Sequence, residues 1–171
     1  EQGVDSMGPP DKMDATVRRT MSVELLTTPT PELVEAMGRL LPQLSRSASP
    51  LGADDVERLL SQGGVHLFVF RPDSADASGE RPVLGMLSLA VFEIPTGVRA
   101  WIEDVVVDSG ARGHGAGLAL VEAALEHAKG IGARTVDLTS RPSREAANRL
   151  YRRAGFVQRE TNVYRVALDG Q

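Results

Sequence analysis

The chain has 171 residues, of which 42% are hydrophobic and 25% charged, and its net charge is −4. These values are ordinary for one soluble domain that is large enough to bury a core. The sequence contains no cysteine, which excludes disulfides, thiolate metal sites and a cysteine nucleophile and fits a cytoplasmic location.

Charge and hydropathy also limit the partners. No apolar run approaches the roughly 18–20 residues that span a bilayer, so no membrane association is expected. The acidic balance and the 4% aromatic content argue against nucleic acid. The three histidines are isolated in the sequence, and no metal site is predicted.

Residues 141–171 hold seven arginines against three acidic residues. These arginines form either a solvated face or an attraction for an anionic ligand.

The chain opens with a polar stretch. Residues 1–20 include paired prolines and show no hydrophobic period, so they are predicted to be a disordered tail. Residues 21–171 then form one domain.

The first half of the domain predicts strands and two helices. Thr30 is a candidate N-cap with Pro31 at the first helical position, and Pro42 should end or bend that helix. A second, short helix is predicted within ADDVERLLSQGG. Strands are predicted at 22–26, 65–70, 83–92 and 98–107, and the last three, joined by turns, indicate an antiparallel meander.

The second half alternates helices and strands. A helix after residue 117 should bury Leu118, Val121, Leu125 and Ala128. A strand over 134–139 should follow it and lie parallel to 98–107. Ser143 should cap a last helix, closed by Gly155, whose buried stripe is Ala147, Leu150, Tyr151 and Ala154. Two short strands, 156–160 and 162–168, should end a mixed α/β (α+β) domain.

The segment DSGARGHGAG, residues 108–117, places four glycines between a strand and a helix. Free amides at a helix N-terminus form an anion site, which suits a phosphate group. The Walker A pattern fails because Ala116 and Gly117 stand where Lys and Ser or Thr are required. The dinucleotide fingerprint fails at Leu118.

The segment RGHGAG, residues 112–117, does resemble the acetyl-CoA pyrophosphate signature Arg/Gln-x-x-Gly-x-Gly/Ala of the GNAT N-acetyltransferase superfamily. A second signature of that family, an alanine-rich helix running into Tyr-x-x-x-Gly-Phe, is matched by AANRLYRRAGF at 146–156. The order of elements also resembles the family over about residues 21–168. The resemblance implies the GNAT fold, with a central mixed, mostly antiparallel sheet flanked by helices.

The resemblance also implies an activity, in which a primary amine attacks the thioester of acetyl-CoA directly in a ternary complex. Tyr151 occupies the position of the family's general acid, and as a core aromatic it could also be structural. The cofactor-binding residues implied are Val105, Val106, Val107, Arg112, Gly113, His114, Gly115, Ala116 and Gly117.

The base that deprotonates the amine is expected to be Glu103 or Asp104, acting directly or through water, with Glu103 preferred and water itself as an alternative. An alkyl ammonium has a pKa of about 10.4, so a base is useful at neutral pH. On a regular strand Glu103 shares a face with Trp101, and Asp104 lies on the other. Family members often bulge at this strand, which could exchange the two faces. Either carboxylate could instead serve in a strand-end salt bridge.

One departure from the family concerns Arg144, which stands where many relatives carry an asparagine that meets the cofactor arm. Arg144 could instead reach a phosphate of CoA or an anionic substrate. The resemblance assigns the acceptor pocket mainly to residues near 27–52 and 93–100. A small-molecule or peptide amine is expected as acceptor: an amino acid, a polyamine-like amine, an aminoglycoside or a protein amine. Glucosamine 6-phosphate is a lesser alternative, suggested by IEDVVVD.

Two other readings stay open at this point. A non-catalytic acyl-CoA sensor or scaffold would keep the glycine loop, and a nucleotide-phosphate module would bind ATP or NAD equally well. The oligomeric state is also open, with a homodimer as one possibility.

Overall fold

A computed structural model describes residues 20–168. The predicted tail therefore lies, except for Thr20, outside the described residues. In chain order the elements are β1 (Met21–Leu26), α1 (Pro31–Leu44), α2 (Ala53–Leu60), β2 (Val65–Pro72), β3 (Gly85–Ile94), β4 (Gly97–Val107), α3 (Ala116–Gly130), β5 (Thr135–Asp137) and α4 (Glu145–Arg153).

The five strands form one mixed sheet in the order β1-β2-β3-β4-β5. The pairs from β1 to β4 are antiparallel, which confirms the predicted meander. The pair β4–β5 is parallel, as expected for a strand reached through the crossover helix α3. β5 pairs only with residues 99–101 of β4. Beyond that point, no strand within residues 20–168 covers this edge of β4.

Helices pack on both faces of the sheet. On one face, α3 and α4 cover apolar side chains of β2, β3 and β4 in a core that includes Phe68, Leu89 and Leu120. On the other face, α1 and α2 cover a second core that includes Leu40, Val69 and Met86. The α/β architecture predicted from the sequence is therefore confirmed.

A bulge interrupts β4 near its end. Ser88 of β3 pairs with Glu103 and Met86 pairs with Val106, so β4 carries one more residue than β3 between these pairs. Asp104 sits there with φ +50°, the left-handed region, which Asp tolerates better than most residues. The face of the strand changes at this point: Ile102 belongs to the α3 side, but Val106 belongs to the α1 side.

Three local expectations about the helices need correction. Pro42 does not end α1, which continues to Leu44, although Thr30 caps its start as predicted. Ser143 is not the cap of α4: Arg144 occupies that position without a side-chain bond, in a turn closed by its N–H to Arg141 O at 3.0 Å. In α3 the fully buried stripe differs from the predicted one, because small side chains let the helix approach the sheet. The buried residues are Ala116, Leu120, Val121, Ala124 and Ala128.

α4 is closed as the sequence predicted. Gly155 adopts φ +96°, and the N–H of Phe156 donates to Tyr151 O at 2.9 Å. This is a Schellman ending, which requires a left-handed residue where the glycine stands.

The prediction of two strands, at 156–160 and 162–168, is wrong. Residues 157–168 have no regular structure, and none of their backbone N–H groups donates a hydrogen bond within the described part of the chain. Their apolar side chains are exposed, including Tyr164 at 88% and Leu168 at 92%. A strand needs a neighbouring edge as well as a suitable composition, and this segment pairs with none of the described strands.

Candidate active site

The glycine loop connects β4 to α3 through a short 3-10 turn, Ser109–Ala111. Asp108 caps this turn by accepting a hydrogen bond from the N–H of Gly110 at 3.1 Å. Gly113 and Gly115 then adopt φ +83° and +75°, which residues other than glycine rarely adopt. The first amides of α3 follow directly, and they have no acceptor within the helix.

Gly117 has a different role from the other glycines of the loop. A Cβ at this position would lie 2.7 Å from Leu150 Cδ1. The missing side chain therefore allows α4 to pack closely against the first turn of α3. Glycine is required at three points of the loop, at two for backbone conformation and at one for packing.

A cleft of about 970 Å³ opens in front of the loop. Its walls come from the end of β4, the start of α3, α4 and the last turn of α1. All but one of the residues predicted to bind the cofactor line this cleft: Val105, Val106, Val107, Arg112, Gly113, Gly115, Ala116, Gly117 and Arg144. His114 is the exception, since it is exposed and does not belong to the walls.

A second, smaller pocket of about 120 Å³ shares four wall residues with the cleft. It contains both predicted carboxylates, Glu103 and Asp104, together with Ile102, Leu138 and Thr139. The shared residues are Leu44, Val105, Arg144 and Tyr151. All three predicted catalytic side chains therefore line the small pocket, and Tyr151 also lines the cleft.

Tyr151 is 8% exposed and is the fully buried residue of α4. Its ring packs edge-on against Phe156, with centroids 5.9 Å apart. Burial raises the pKa of the phenol above its ordinary value of 10.0, and the nearby charge of Arg144 opposes the shift. The hydroxyl therefore stays protonated at neutral pH and can donate a proton.

The two carboxylates differ in their surroundings. Glu103 accepts a hydrogen bond from Trp101 Nε1 at 2.9 Å, so both side chains lie on one face as predicted. Asp104 sits in the bulge. Neither forms an ion pair with any described residue, so the alternative of a strand-end salt bridge is not realised within residues 20–168.

Positive charge is concentrated along the cleft. Arg112 comes from the glycine loop, whereas Arg144, Arg149 and Arg153 come from α4. Within the walls the only acidic side chain is Glu145, which lies 3.8 Å from Arg149. Because the excess is positive, the cleft favours an anionic ligand.

Several wall residues could not be predicted individually. Leu44 of α1 lies inside the segment 27–52 that the resemblance assigned to the acceptor side, but no residue of 93–100 lines either cavity. Arg149 and Arg153 belong to the arginine excess of residues 141–171, which indicated an anionic ligand without placing these two side chains at the site. Thr139 carried no signal in the sequence, since only the packing of the end of β5 against β4 makes it a neighbour of the site.

The described residues contain neither a metal-binding cluster nor a membrane-spanning helix. From residue 20 to residue 168 no group of three or more His, Asp or Glu side chains could hold a metal ion. In the same part of the chain, no helix combines the length and apolar character needed to cross a bilayer.

Residues 35–156 match the model of the Acetyltransferase (GNAT) family. The match covers more than half of the chain and includes the glycine loop, the β4 bulge and Tyr151. The chain belongs to this family.

Three relatives illustrate the range of the family. Glucosamine 6-phosphate N-acetyltransferase 1 of Oryza sativa subsp. japonica is 32% identical over 108 residues, which cover 63% of this chain and 62% of that protein. An acetyltransferase of Trypanosoma brucei is 26% identical with a TM-score of 0.68, over 87% of this chain and 100% of that one. An aminoglycoside acetyltransferase from an uncultured soil metagenomic sample shares the fold, at 21% identity and a TM-score of 0.72, over 86% and 95% of the two chains.

Proposed function

We propose that this protein transfers an acetyl group from acetyl-CoA to the primary amine of a small molecule or peptide. The observation that carries the proposal is the junction of the two cavities at Tyr151. A large, positively lined cleft reaches this tyrosine from one side, and a small pocket with two carboxylates reaches it from the other.

The residues of the large cleft fit coenzyme A. Amides of the glycine loop and the start of α3 suit the pyrophosphate, and Arg112 adds a positive charge beside them. The edge of β4 beyond residue 101 has no described strand partner and offers backbone groups to a pantetheine arm. When bound, acetyl-CoA would supply an acetyl thioester.

The proposed reaction forms one bond and breaks another. The amine nitrogen bonds to the thioester carbonyl carbon, and the carbon–sulfur bond breaks. The ammonium group of the acceptor first gives one proton to Glu103 or Asp104, which later releases it to solvent. Tyr151 donates its phenolic proton to the departing thiolate, and the second proton, which the nitrogen loses on becoming an amide, returns through solvent to the phenolate. We favour Glu103 as the base, because Trp101 holds one carboxylate oxygen and leaves the other able to accept a proton.

The acceptor is proposed to be cationic before reaction, because two carboxylates that form no ion pair within residues 20–168 line the small pocket. An amino-sugar phosphate is a specific candidate within this class. Arg144 lines the same pocket and could pair with a phosphate, and the rice relative is named for glucosamine 6-phosphate. The match covers less than two thirds of either chain, so other amines belong in the same test.

The test is a screen of amines with acetyl-CoA that monitors released thiol. The panel contains glucosamine 6-phosphate, glucosamine, amino acids, polyamines, aminoglycosides and peptides with free N-termini. With the best acceptor, Tyr151→Phe should lower kcat by about 10²-fold, the low end of the range for general acids. Its affinity for CoA should not change, since the ring that packs on Phe156 remains.

A matched control is Tyr164→Phe, which removes the same hydroxyl from an exposed ring. Glu103→Gln and Asp104→Asn then identify the base. Only the variant that lacks the true base should have a lower kcat and lack the acid limb in the pH profile of kcat. Unchanged kcat in Tyr151→Phe would remove this phenol from the chemistry.

The two other readings give different results in the same experiments. Thermal stabilisation by CoA without thiol release from any amine would indicate a non-catalytic acyl-CoA-binding domain. Equal stabilisation by ATP, NAD and acetyl-CoA would indicate a general nucleotide-phosphate module.

A further inference from the structure

The last turns of α1 are bonded to the start of the glycine loop. Arg39 of α1 forms an ion pair with Asp108, the residue that immediately follows β4. One turn later in α1, Gln43 Oε1 accepts a hydrogen bond from the N–H of Ser109 at 3.0 Å. Two consecutive residues of the loop are therefore held by a helix that lies more than 60 positions earlier in the chain.

Asp108 connects this contact to the backbone of the loop. One of its carboxylate oxygens pairs with Arg39, while the other accepts from the N–H of Gly110 at 3.1 Å. The backbone N–H of Asp108 donates to Leu84 O at 2.8 Å. The side chain of Asp108 is 16% exposed and that of Arg39 is 40% exposed, so water partly screens the charges, and the hydrogen bonds on both sides of the pair fix its geometry.

Arg39 has a second partner that fixes its own position. Its other guanidinium nitrogen donates to Val83 O at 3.0 Å, just before β3. Val83 is buried in the core between α1 and the sheet. The guanidinium therefore bridges a rigid part of the fold and the loop, with the fork geometry that arginine provides and lysine does not.

Arg39 itself does not line the cleft. Any effect of this residue on a ligand in the cleft must therefore pass through Asp108 or through the position of α1. This separates it from Gln43, which lines the cleft and could touch a ligand directly.

We propose that Arg39 is a positioning residue, which holds the glycine loop through Asp108 in the conformation that binds the pyrophosphate of coenzyme A. The ligand named here rests on the proposed function, whereas the anchoring of the loop rests on the contacts alone.

The physical reason is the flexibility of the loop. Glycine loses more conformational freedom on ordering than any other residue, and this segment contains four in ten positions. Gly113 and Gly115 have open space where a Cβ would stand, so local packing does not hold them. A loop that is anchored before the ligand arrives loses less entropy on binding, and its affinity is higher.

The experiment compares Arg39→Met with Arg58→Met. Arg58 is a matched control, since it pairs with Asp55 on the surface of α2 and has no contact with the loop. Calorimetry measures the Kd of CoA for each variant well below its melting temperature. We expect Arg39→Met to raise the Kd about tenfold, within the coupling range of residues that share one hydrogen-bond network. Arg58→Met should leave it unchanged.

A double-mutant cycle tests the route through Asp108. If Arg39 acts through this carboxylate, then Arg39→Met should add little to the Kd of an Asp108→Asn variant. If the effects of the two substitutions on the Kd are fully additive, Arg39 does not act through Asp108. A Kd within twofold of the wild type in Arg39→Met would overturn the positioning role. A lower melting temperature with an unchanged Kd would show a structural contact only.

Hydrogen exchange without ligand separates this inference from the proposed function. In Arg39→Met the amides of Ser109, Gly110 and Ala111, which donate hydrogen bonds in the wild type, should exchange faster, while those of α3 should not change. If the wild type binds no CoA, the proposed function fails, and the exchange result still decides the anchor. Unchanged exchange in the loop would refute the anchoring of the loop by Arg39.

Discussion

The glycine loop allows a sharp test of which glycines the backbone requires. Gly113 and Gly115 adopt positive φ, whereas Gly110 does not, and a Cβ at Gly110 would meet only Asp108 Oδ1 at 3.8 Å. Alanine at the first two positions forces a side chain into the left-handed region. Alanine at Gly110 meets no such restriction and reduces the freedom of the unfolded chain.

The magnitudes follow from backbone conformation alone, because a Cβ at Gly113 or Gly115 would meet nothing within 4 Å. A left-handed alanine costs roughly 1–2 kcal/mol, so each of these variants should be less stable than Gly110→Ala by about that much, since all three replacements reduce the freedom of the unfolded chain alike. Gly110→Ala should lose nothing, or gain about 0.4–1 kcal/mol. Each kcal/mol corresponds to a change in melting temperature of about 2–4 °C for a chain of this size.

Urea unfolding followed by circular dichroism measures these differences. Gly115→Asn provides a further control, because asparagine tolerates the left-handed region better than alanine does. It should therefore recover part of the stability lost in Gly115→Ala. If Gly113→Ala and Gly115→Ala unfold at the same urea concentration as Gly110→Ala, positive φ is not what selects glycine in this loop.

Two further predictions concern regions away from the loop. His66 Nδ1 lies 3.2 Å from His127 Nε2, and burial together with the neighbouring histidine lowers the pKa of His66 below 6.5. Because the pKa of His66 is lower in the folded chain than the unfolded value of about 6.5, the neutral ring costs no stability above pH 6.5, and stability falls as the pH drops from there through the lower pKa of the folded state. Urea unfolding at several pH values should show a steeper loss in the wild type than in His66→Leu, with exposed His114→Gln as control. Equal slopes in the wild type and His66→Leu would contradict this prediction. In the exposed C-terminal segment, Tyr164, Val166 and Leu168 can be replaced together by serine. This triple variant should melt within about 1 °C of the wild type, because surface substitutions outside packed contacts change stability little. A clear decrease in the melting temperature would show that the segment packs in solution.

Local chemistry determined much of this fold. Thr30 and Pro31 mark the start of α1, and Gly155 marks the end of α4, because caps depend on residues within one helical turn. The glycine loop was recognisable for the same reason, since its pattern is read within ten residues between a strand and a helix. Its motif, together with Tyr-x-x-x-Gly-Phe, predicted the family that the comparisons confirm.

Other features depend on contacts that no short segment contains. The bulge at Asp104 depends on the register of β4 against β3, so the strand alone could not show that Val106 changes face. The residues of 162–168 have strand composition but no edge to pair with among the described residues. Composition describes what a segment can form, whereas pairing decides what it does form.

The sequence by itself determined the order of the elements from β1 to α4 and the two motifs that carry the family resemblance. Only the tertiary structure brought Glu103, Asp104 and Tyr151 to one pocket, and only it joined Arg39 to Asp108 across 69 positions. The physical reason is the range of the forces involved. Caps and turns are decided by atoms a few residues apart, whereas a cleft and an ion pair between distant segments exist only after the sheet and helices have packed.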